Sequence, residues 1–358
     1  MTNDVYRDLA RRLDMIPNGF QATESGVELR ILAKLYTPEE ARLASVMRLT
    51  PEPSADIAAR TGLEGREAHA MLKRMVRKGL IRGEVQGREV CFAIWQFVVG
   101  VYEAQLSRMD AELALLVEQY IRETQGGLAS GTPSVHRVIP VGQAIEVGLE
   151  VFPYEHAELL VGEAKSWAVG RCICRLQRTL AGQGCTAPLE ACLWFAPVEN
   201  AFDGATEGRA IAREEALELL RSCEEAGLVH TARNQQDGIH YICNCCACCC
   251  GILRAETEFG RIGGVARSAF RASVREEACV GCATCIERCQ FGALAMADGL
   301  ARVAAERCVG CGLCASACAQ EALHLERRPG KEPSPPKDEK AWYALRARQR
   351  GLALSEIL

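Results

Sequence analysis

The sequence predicts an α+β protein that contains several domains. Its 358 residues are enough for two or three hydrophobic cores, because a globular domain usually contains about 100–200 residues. The first third shows helical patterns followed by a short hairpin, and most of the 20 cysteines are clustered in the remainder. We therefore predict a helical domain with a hairpin over residues 1–125, a mixed cysteine-rich domain over 135–258, a smaller cysteine-bearing domain over 274–326, and a linker with a terminal helix over 327–358.

The composition argues against several functional classes. The formal net charge of −4 provides no overall basic field that would attract nucleic acid or anionic lipid. The longest apolar stretch, residues 91–102, is far shorter than the roughly 20 residues that cross a bilayer. The first 20 residues are polar and lack a secretory signal, so we expect a cytoplasmic protein without a membrane span. In that reducing compartment, clustered cysteines indicate metal ligation, whereas the isolated Cys91 and Cys223 are expected to be buried and inert.

Helical patterns precede a hairpin in the amino-terminal domain. A short helix is predicted over residues 55–61, and an amphipathic helix follows over residues 66–78. Gln86 and Gly87 then fit the turn between two short strands. Over residues 29–94 this order resembles a winged helix-turn-helix domain.

The winged-helix resemblance implies a surface that would face DNA. Residues 66–78 would form the helix that enters the major groove. However, residues 1–131 carry 17 Lys and Arg against 18 Asp and Glu, whereas DNA-binding domains usually show a basic excess. A structural or partner-docking use of the same fold therefore stays open beside DNA binding. The cations of the helix are Arg66, Lys73, Arg74, Arg77 and Lys78.

Further helices are predicted elsewhere in the chain. Apolar residues at helical spacing indicate a helix over residues 104–124, and helical patterns also occur over residues 155–167 and 213–227. The four prolines within residues 327–340 indicate an extended linker. A terminal helix over residues 341–354 is expected to follow it.

A duplicated cysteine pattern provides the clearest functional signal. Four cysteines have the spacing C-x2-C-x2-C-x3-C, and the same spacing recurs 29 residues later. Small residues between them, such as Gly281 and Gly310, allow main-chain N–H groups to approach cluster sulfides. Over about 50 residues this segment resembles the bacterial two-cluster ferredoxins; a pair of four-cysteine zinc sites is the alternative. The eight cysteines are Cys279, Cys282, Cys285, Cys289, Cys308, Cys311, Cys314 and Cys318.

The ferredoxin resemblance implies two [4Fe-4S] clusters with crossed ligation, because the fourth cysteine of each run in that family binds the other cluster. The sequence departs from the family at Gln290 and Ala319, where proline usually follows the fourth cysteine. Ligation does not need that proline, so we expect both clusters to form, with looser turns. Cluster one would take Cys279, Cys282, Cys285 and Cys318, and cluster two would take Cys308, Cys311, Cys314 and Cys289.

Ten more cysteines lie in the middle domain, in a C-x-C pair, two single positions and the run CNCCACCC. One tetrahedral ion or one cubane uses four thiolates, so ten cysteines suggest two further sites or one larger cluster. Adjacent residues of an extended chain point to opposite sides, so Cys245 and Cys246 are expected to serve different sites. The ten cysteines are Cys172, Cys174, Cys185, Cys192, Cys243, Cys245, Cys246, Cys248, Cys249 and Cys250.

We interpret these ten cysteines as ligands of one or two additional iron-sulfur clusters. Zinc is an alternative, as is a thiol-disulfide or substrate-binding site in which some thiols stay free. Arg171 and Arg175 flank the C-x-C pair and would either hold thiolates through charge-assisted hydrogen bonds or remain surface charges. Of the six histidines, only His240 is close enough to a cysteine run to be considered as an extra ligand.

The complete arrangement resembles ferredoxin-type proteins of anaerobic bacteria and archaea, and this resemblance brings no assigned reaction. The ferredoxin-like segment leads us to expect an electron carrier, or a non-catalytic electron-transfer subunit, that works with redox partner proteins. Catalysis at an incompletely ligated iron of the middle domain, which could bind a small molecule, is left open. A redox-sensing winged-helix transcription regulator is the competing interpretation. The sequence contains no dinucleotide-binding or phosphate-loop motif, so no nucleotide cofactor is expected.

Overall fold

A computed structural model describes residues 2–129, 131–205, 207–329 and 334–356 of the chain. The structure contains both helices and several small sheets, which agrees with the predicted mixture of α and β elements. The chain divides into two compact units, and the two predicted cysteine-bearing domains fall mainly in the second. The first unit comprises residues 1–128, 176–183 and 343–358, and the second comprises residues 129–175 and 184–342.

Helices dominate the first unit, which also contains one small sheet. The three strands of this sheet are antiparallel, and their order is β1-β3-β2 once the elements are numbered along the chain. The elements are α1 (Thr2–Met15), α2 (Val27–Leu35), α3 (Pro38–Ala44), β1 (Glu52–Pro53), α4 (Ser54–Thr61), α5 (Gly65–Arg77), β2 (Ile81–Gln86), β3 (Glu89–Ile94) and α6 (Ala111–Glu123).

The helices α4 and α5 and the hairpin β2-β3 lie where the sequence predicts them. Gly62 ends α4 in the left-handed conformation with φ of 70°, which a residue without Cβ adopts at no steric cost. Met71, Leu72 and Met75 form the buried stripe of α5. Gly87 has φ of 64° in the hairpin turn. The local order is therefore helix, helix, strand, strand, with β1 paired to β3 on the side opposite β2.

The helix predicted over residues 104–124 is interrupted. A 3-10 helix spans Glu103–Arg108, and α6 begins only at Ala111. Asp110 has an extended backbone, and its carboxylate accepts a hydrogen bond from the Leu113 main-chain N–H at 2.8 Å. The continuous prediction is wrong because this N-cap starts a new helix within the apolar pattern.

The second unit contains a six-stranded antiparallel sheet and two sheets of two strands. The order in the large sheet is β4-β8-β9-β6-β5-β7, and the smaller pairs are β10-β13 and β11-β12. Residues of α8 and α13 are divided between the two units. The elements are β4 (His136–Val138), α7 (Ala157–Gly162), β5 (Ser166–Arg171), α8 (Ile173–Leu180), β6 (Glu190–Ala196), β7 (Gly208–Ile211), α9 (Arg213–Glu225), β8 (Val229–Arg233), β9 (Tyr241–Cys245), α10 (Gly251–Thr257), β10 (Phe270–Val274), α11 (Thr284–Arg288), β11 (Leu294–Ala297), β12 (Leu300–Val303), α12 (Leu313–Ser316), β13 (Leu323–Arg327) and α13 (Glu339–Arg350).

The large sheet packs its apolar face against α7 and α9. Leu193 and Phe195 of β6 and Ile242 of β9 are buried with Ala216 and Leu220 of α9 in one hydrophobic cluster. Burial of each Leu, Ile or Phe side chain in this cluster stabilises the fold by about 1.5–3 kcal/mol. The sheet therefore holds β6 and β9, which both carry cysteines, in a rigid setting.

The helix predicted over residues 155–167 is shorter than expected. Only Ala157–Gly162 is α-helical, and Trp167 lies in β5. This strand pairs with β6 on one side and with β7 on the other. Two sets of inter-strand hydrogen bonds from distant segments override the local helical pattern.

The carboxyl-terminal helix begins at Glu339 and ends at Arg350, close to its predicted position. Its Trp342 is buried, and the indole Nε1–H donates to the Ser134 carbonyl oxygen at 3.0 Å. Part of the predicted linker, residues 330–333, lies outside the described residues.

Candidate metal centres

The duplicated cysteine runs surround two cavities beside the short helices α11 and α12. Each cavity is lined by three thiols from one run and by the fourth thiol of the other run. One cavity is lined by Cys279, Cys282, Cys285 and Cys318, together with nine other residues. The second is lined by Cys289, Cys308, Cys311 and Cys314, together with ten others.

Hydrogen-bond donors reach several of these sulfurs. The Ala293 main-chain N–H donates to Cys289 Sγ at 3.3 Å, and the Ala272 N–H donates to Cys308 Sγ at 3.4 Å. The Thr284 hydroxyl donates to Cys282 Sγ at 3.6 Å and lowers the pKa of this thiol. Such bonds favour the thiolate, which is the form that binds metal.

Two glycines let the main chain pass close to these cavities. Gly310 has φ of 72°, and a Cβ at this position would lie 2.0 Å from the Phe270 carbonyl oxygen. Gly281 has φ of 71°, and its Cβ would lie 2.5 Å from the Gly299 carbonyl oxygen. No other residue fits either position without movement of the main chain.

The cysteines of the middle domain are brought together by strand pairing. Cys192 of β6 and Cys243 of β9 are direct partners in the antiparallel register. Cys245 is on the same strand as Cys243 and two residues away, so both side chains point to one face. Cys172 immediately follows β5, the other neighbour of β6, and Cys250 is the N-cap of α10.

Four of the ten thiols form a compact group, which we call the four-thiol group: Cys185, Cys246, Cys248 and Cys249. All four sulfurs lie within 4.8 Å of one another. Cys185 Sγ is 3.8 Å from Cys246 Sγ and 3.6 Å from Cys249 Sγ, and Cys248 Sγ is 3.8 Å from Cys249 Sγ. Among the described residues this is the one set of three or more potential ligands that meets this distance limit. These four cysteines could therefore hold a metal.

The other six thiols form a closed ring, which we call the six-thiol ring. Each thiol interacts with the two beside it, in the order Cys172, Cys174, Cys250, Cys245, Cys243 and Cys192, and the last returns to Cys172. No three of the six come within the 4.8 Å limit that the four-thiol group satisfies. The sulfurs of the six-thiol ring are therefore less closely grouped than those of the four-thiol group. Cys245 and Cys246 belong to different groups, as the alternation along an extended chain predicts.

Arg175 lies beside both thiol groups. Its guanidinium is almost fully buried and donates to the Asn244 carbonyl oxygen from Nη2 at 2.7 Å and from Nη1 at 3.3 Å. Burial alone would lower the pKa of Arg175, but the negative charges of Cys172 and Cys246 raise it above its ordinary value. Its Nε–H is buried and has no hydrogen-bond partner within the protein. A buried donor of this kind is suited to a thiolate or a cluster sulfide.

Neighbouring thiols set the ionisation of the ligands. Hydrogen bonds from Cys249 and Cys248, with the positive charge of Arg175, lower the pKa of Cys246 to about 5 against the effect of burial. Hydrogen bonds from Cys243 and Cys250 similarly lower the pKa of Cys245 to about 6. A lowered pKa favours the thiolate, which is the form of cysteine that binds metal.

Several other residues take different roles from those considered in the sequence. Arg171 is exposed and is a surface charge, unlike Arg175. His240 belongs to no set of three close ligands among the described residues. Cys91 and Cys223 are both buried; burial raises the pKa of Cys223 to about 12, so it stays protonated.

Sequence reasoning missed the polar residues that hold the cysteine run in place. The Asn244 side chain donates to the Ala191 carbonyl oxygen at 2.8 Å, and Thr231 Oγ1 lies 3.4 Å from Cys245 Sγ. Gln290 bonds to the run itself through Ala247. The replacement of the family's proline by Gln290 was the available signal, and it was interpreted only as a looser turn.

Comparison of the chain with protein-family models, with curated proteins and with solved structures finds no match. Within the part of the chain that the structure describes, no helix has both the length and the apolar character that a membrane crossing requires. The site geometry therefore carries the functional argument.

Proposed function

We propose that this chain is an iron-sulfur electron-transfer protein of the ferredoxin type, with two [4Fe-4S] clusters held by the duplicated cysteine runs. The single observation that supports this proposal most directly is the pair of cavities, each lined by three thiols of one run and one of the other. In this assignment Cys279, Cys282, Cys285 and Cys318 hold one cluster, and Cys308, Cys311, Cys314 and Cys289 hold the second.

The distances among these eight thiols also favour clusters over single ions. In a cubane each thiolate binds a different iron, so the ligand sulfurs are farther apart than four sulfurs around one ion. No three of the eight sulfurs lie within 4.8 Å of one another, whereas the sulfurs of the four-thiol group meet this limit. The zinc alternative for this segment is therefore disfavoured.

The proposed activity is a one-electron relay. When bound, each cluster supplies a one-electron couple, so that a soluble reduced redox protein loses one electron and an oxidised partner gains it. The chain holds the thiolates, and donors such as the N–H groups of Ala272 and Ala293 stabilise their negative charge. Hydrogen bonds to sulfur raise the reduction potential by favouring the more negative state.

We assign the six-thiol ring to an additional polynuclear iron-sulfur centre in the same unit. Six thiolates exceed the four that a single tetrahedral ion accepts, and no three of these sulfurs lie within 4.8 Å of one another. The buried charge of Arg175 beside Cys172 would offset part of the negative charge of such a centre. The ring would then extend the electron path of the ferredoxin-like segment.

Anaerobic purification followed by iron, sulfide and zinc analysis tests this proposal. We expect more than eight irons per chain, a signal that dithionite reduces, and re-oxidation by cytochrome c used as a one-electron acceptor. A content of eight irons per chain would support the two clusters and would contradict the assignment of an additional centre to the six-thiol ring. Zinc in the duplicated cysteine runs, with no reducible iron-sulfur signal, would overturn the proposed function.

Single substitutions test the crossed assignment of ligands. Cys285→Ser and Cys318→Ser are expected to perturb the same component of the electron paramagnetic resonance spectrum, although their positions lie in different runs. Cys289→Ser should instead perturb the component that Cys314→Ser affects. The assignment would be contradicted if Cys285→Ser perturbed the same component as Cys289→Ser, which lies in its own run, and not the component that Cys318→Ser affects.

A second function is supported by the surface of the first unit. Helix α5 exposes Arg66, Lys73, Arg74 and Arg77, whereas Lys78 is paired with Glu40 at 2.6 Å. Four exposed cations on one helix next to a hairpin fit the phosphate backbone of DNA. This surface supports the second function, a redox-sensing transcription regulator, in which the state of the clusters would change DNA binding.

A gel shift separates the two functions. Reduced and oxidised forms of the protein are tested on DNA from the region upstream of its own gene, with a Lys73→Ala/Arg74→Ala variant as control. Specific binding that changes with oxidation state and is lost in the variant would support the regulator. Electron transfer without specific binding would support the carrier alone.

A further inference from the structure

The four-thiol group differs from the other thiol sets in its geometry. All six distances among the sulfurs of Cys185, Cys246, Cys248 and Cys249 are at most 4.8 Å, which is compact enough for four ligands around one ion. No three sulfurs of the six-thiol ring meet this limit. Two kinds of metal chemistry are therefore expected in one cysteine-rich domain.

The spacing of these four sulfurs is close to that of four ligands around a single ion. Three of the six sulfur–sulfur distances are 3.6, 3.8 and 3.8 Å, and the other three are at most 4.8 Å. A regular tetrahedron with edges of about 3.7 Å has its centre about 2.3 Å from every corner, which is the Zn–S bond length in proteins. An iron-sulfur cluster distributes four thiolates over two or four irons, which places some of the sulfurs much farther apart.

We propose that Cys185, Cys246, Cys248 and Cys249 bind one tetrahedral Zn²⁺ ion, separate from every iron-sulfur centre of the chain. All four ligands come from the protein, so the coordination sphere is closed and the site has a structural role. The buried guanidinium of Arg175 interacts with Cys246, and its positive charge would offset part of the net negative charge of a four-thiolate zinc site.

The position of the site explains what the ion would stabilise. Three of its ligands lie between Cys245 and Cys250, which are both members of the six-thiol ring. Cys185 ties this short loop to the segment between α8 and β6. A zinc ion here would fix the loop that presents two ring thiols, without taking part in electron transfer.

Metal analysis and X-ray absorption of the full chain, purified anaerobically, test this inference. We expect about one zinc per chain with four sulfur neighbours at about 2.3 Å and no iron neighbour. A zinc-iron vector, a nitrogen or oxygen ligand, or the absence of zinc would overturn it. Absence of zinc alongside reducible iron would leave the proposed electron-transfer function intact, so the two failures are distinguishable.

Two variants separate the zinc site from the ring. Cys248→Ser changes an exposed ligand and should remove at least nine-tenths of the zinc, as expected for loss of one of four ligands. The eight irons of the duplicated runs should remain. Cys192→Ser should lower iron and sulfide and leave zinc in place, and Cys91→Ala should change neither metal. Loss of iron and sulfide without loss of zinc from Cys248→Ser would contradict the proposal.

Discussion

The side chain of Gln290, the residue that follows Cys289, hydrogen bonds to the main chain at Ala247 in the middle of the CNCCACCC run. Its Oε1 accepts from the Ala247 N–H, and its Nε2 donates to the carbonyl oxygens of Gly227 and Cys245. Gln290, which departs from the ferredoxin pattern, therefore links the segment of Cys289, a thiol of the second cavity, to the CNCCACCC run. That run carries thiols of both middle-domain groups.

Replacement of Gln290 by alanine should loosen this loop. The change removes hydrogen bonds to three main-chain groups, and we expect a loss of about 1–3 kcal/mol in the free energy of unfolding. Iron should also be lost more quickly from the middle domain in the presence of a chelator. Thermal unfolding and timed iron release provide the measurement. Gln86→Ala, at an exposed hairpin position of the first unit, should behave like the wild type; equal effects of both changes would refute a linking role for Gln290.

Replacement of Arg175 by glutamine should weaken metal binding in the middle domain. The variant lacks the buried charge beside Cys172 and Cys246 and the paired hydrogen bonds to Asn244. Loss of such a supporting group typically lowers metal affinity about 10–100-fold. Titration with a competing chelator measures this change. Arg171→Gln removes a neighbouring exposed charge and should leave affinity unchanged, so a similar loss in both variants would point to a general charge effect.

Replacement of Gly310 by alanine should disrupt the second cavity of the duplicated runs. A Cβ would lie 2.0 Å from the Phe270 carbonyl oxygen, so the main chain beside Cys308 and Cys311 would have to move. Gly299→Ala is the matched control, because Gly299 also has positive φ, at 78°, but its Cβ would meet no atom within 4 Å. The control should lower the free energy of unfolding by only about 1–2 kcal/mol, because alanine is disfavoured in the left-handed conformation. Retention of the full iron content by Gly310→Ala would show that the close approach is not required.

Acid should destabilise the second unit through His136. Burial, with the nearby positive charge of Arg233, lowers the pKa of His136 to about 3, and its ring nitrogens contact Tyr241 and Thr231. The unfolded chain binds a proton near the ordinary pKa of 6.5, so between pH 6.5 and 3 it holds more protons than the folded chain. The free energy of unfolding should therefore fall as pH falls through this window, by at most about 1.4 kcal/mol per pH unit from this group.

Thermal unfolding between pH 7.5 and 5 measures the contribution of His136. Protonation of thiolates affects wild type and variant alike, so the informative quantity is the difference between them. His136→Gln should flatten the dependence of the free energy of unfolding on pH. An unchanged slope in His136→Gln would assign the acid sensitivity to other groups.

Local sequence patterns were sufficient for the elements that depend on neighbouring residues. The helices around residues 54–77 and the hairpin at Gly87 follow from apolar spacing and turn chemistry, and these are local properties. The helices predicted over residues 104–124 and 155–167 were wrong in extent. In one an N-cap at Asp110 divides the pattern, and in the other long-range strand pairing overrides it.

The candidate metal ligands can be recognised from the sequence: eighteen clustered thiols, with the duplicated spacing in one segment and the CNCCACCC run in another. The division of ten of them into a four-thiol group and a six-thiol ring is a property of the tertiary structure. That division depends on the register of β6 against β9, which places Cys192 opposite Cys243, and on a loop that brings Cys185 to Cys246. Spacing along a chain specifies local geometry, whereas contacts between residues about 50 to 60 positions apart arise only when the sheet and its core have formed.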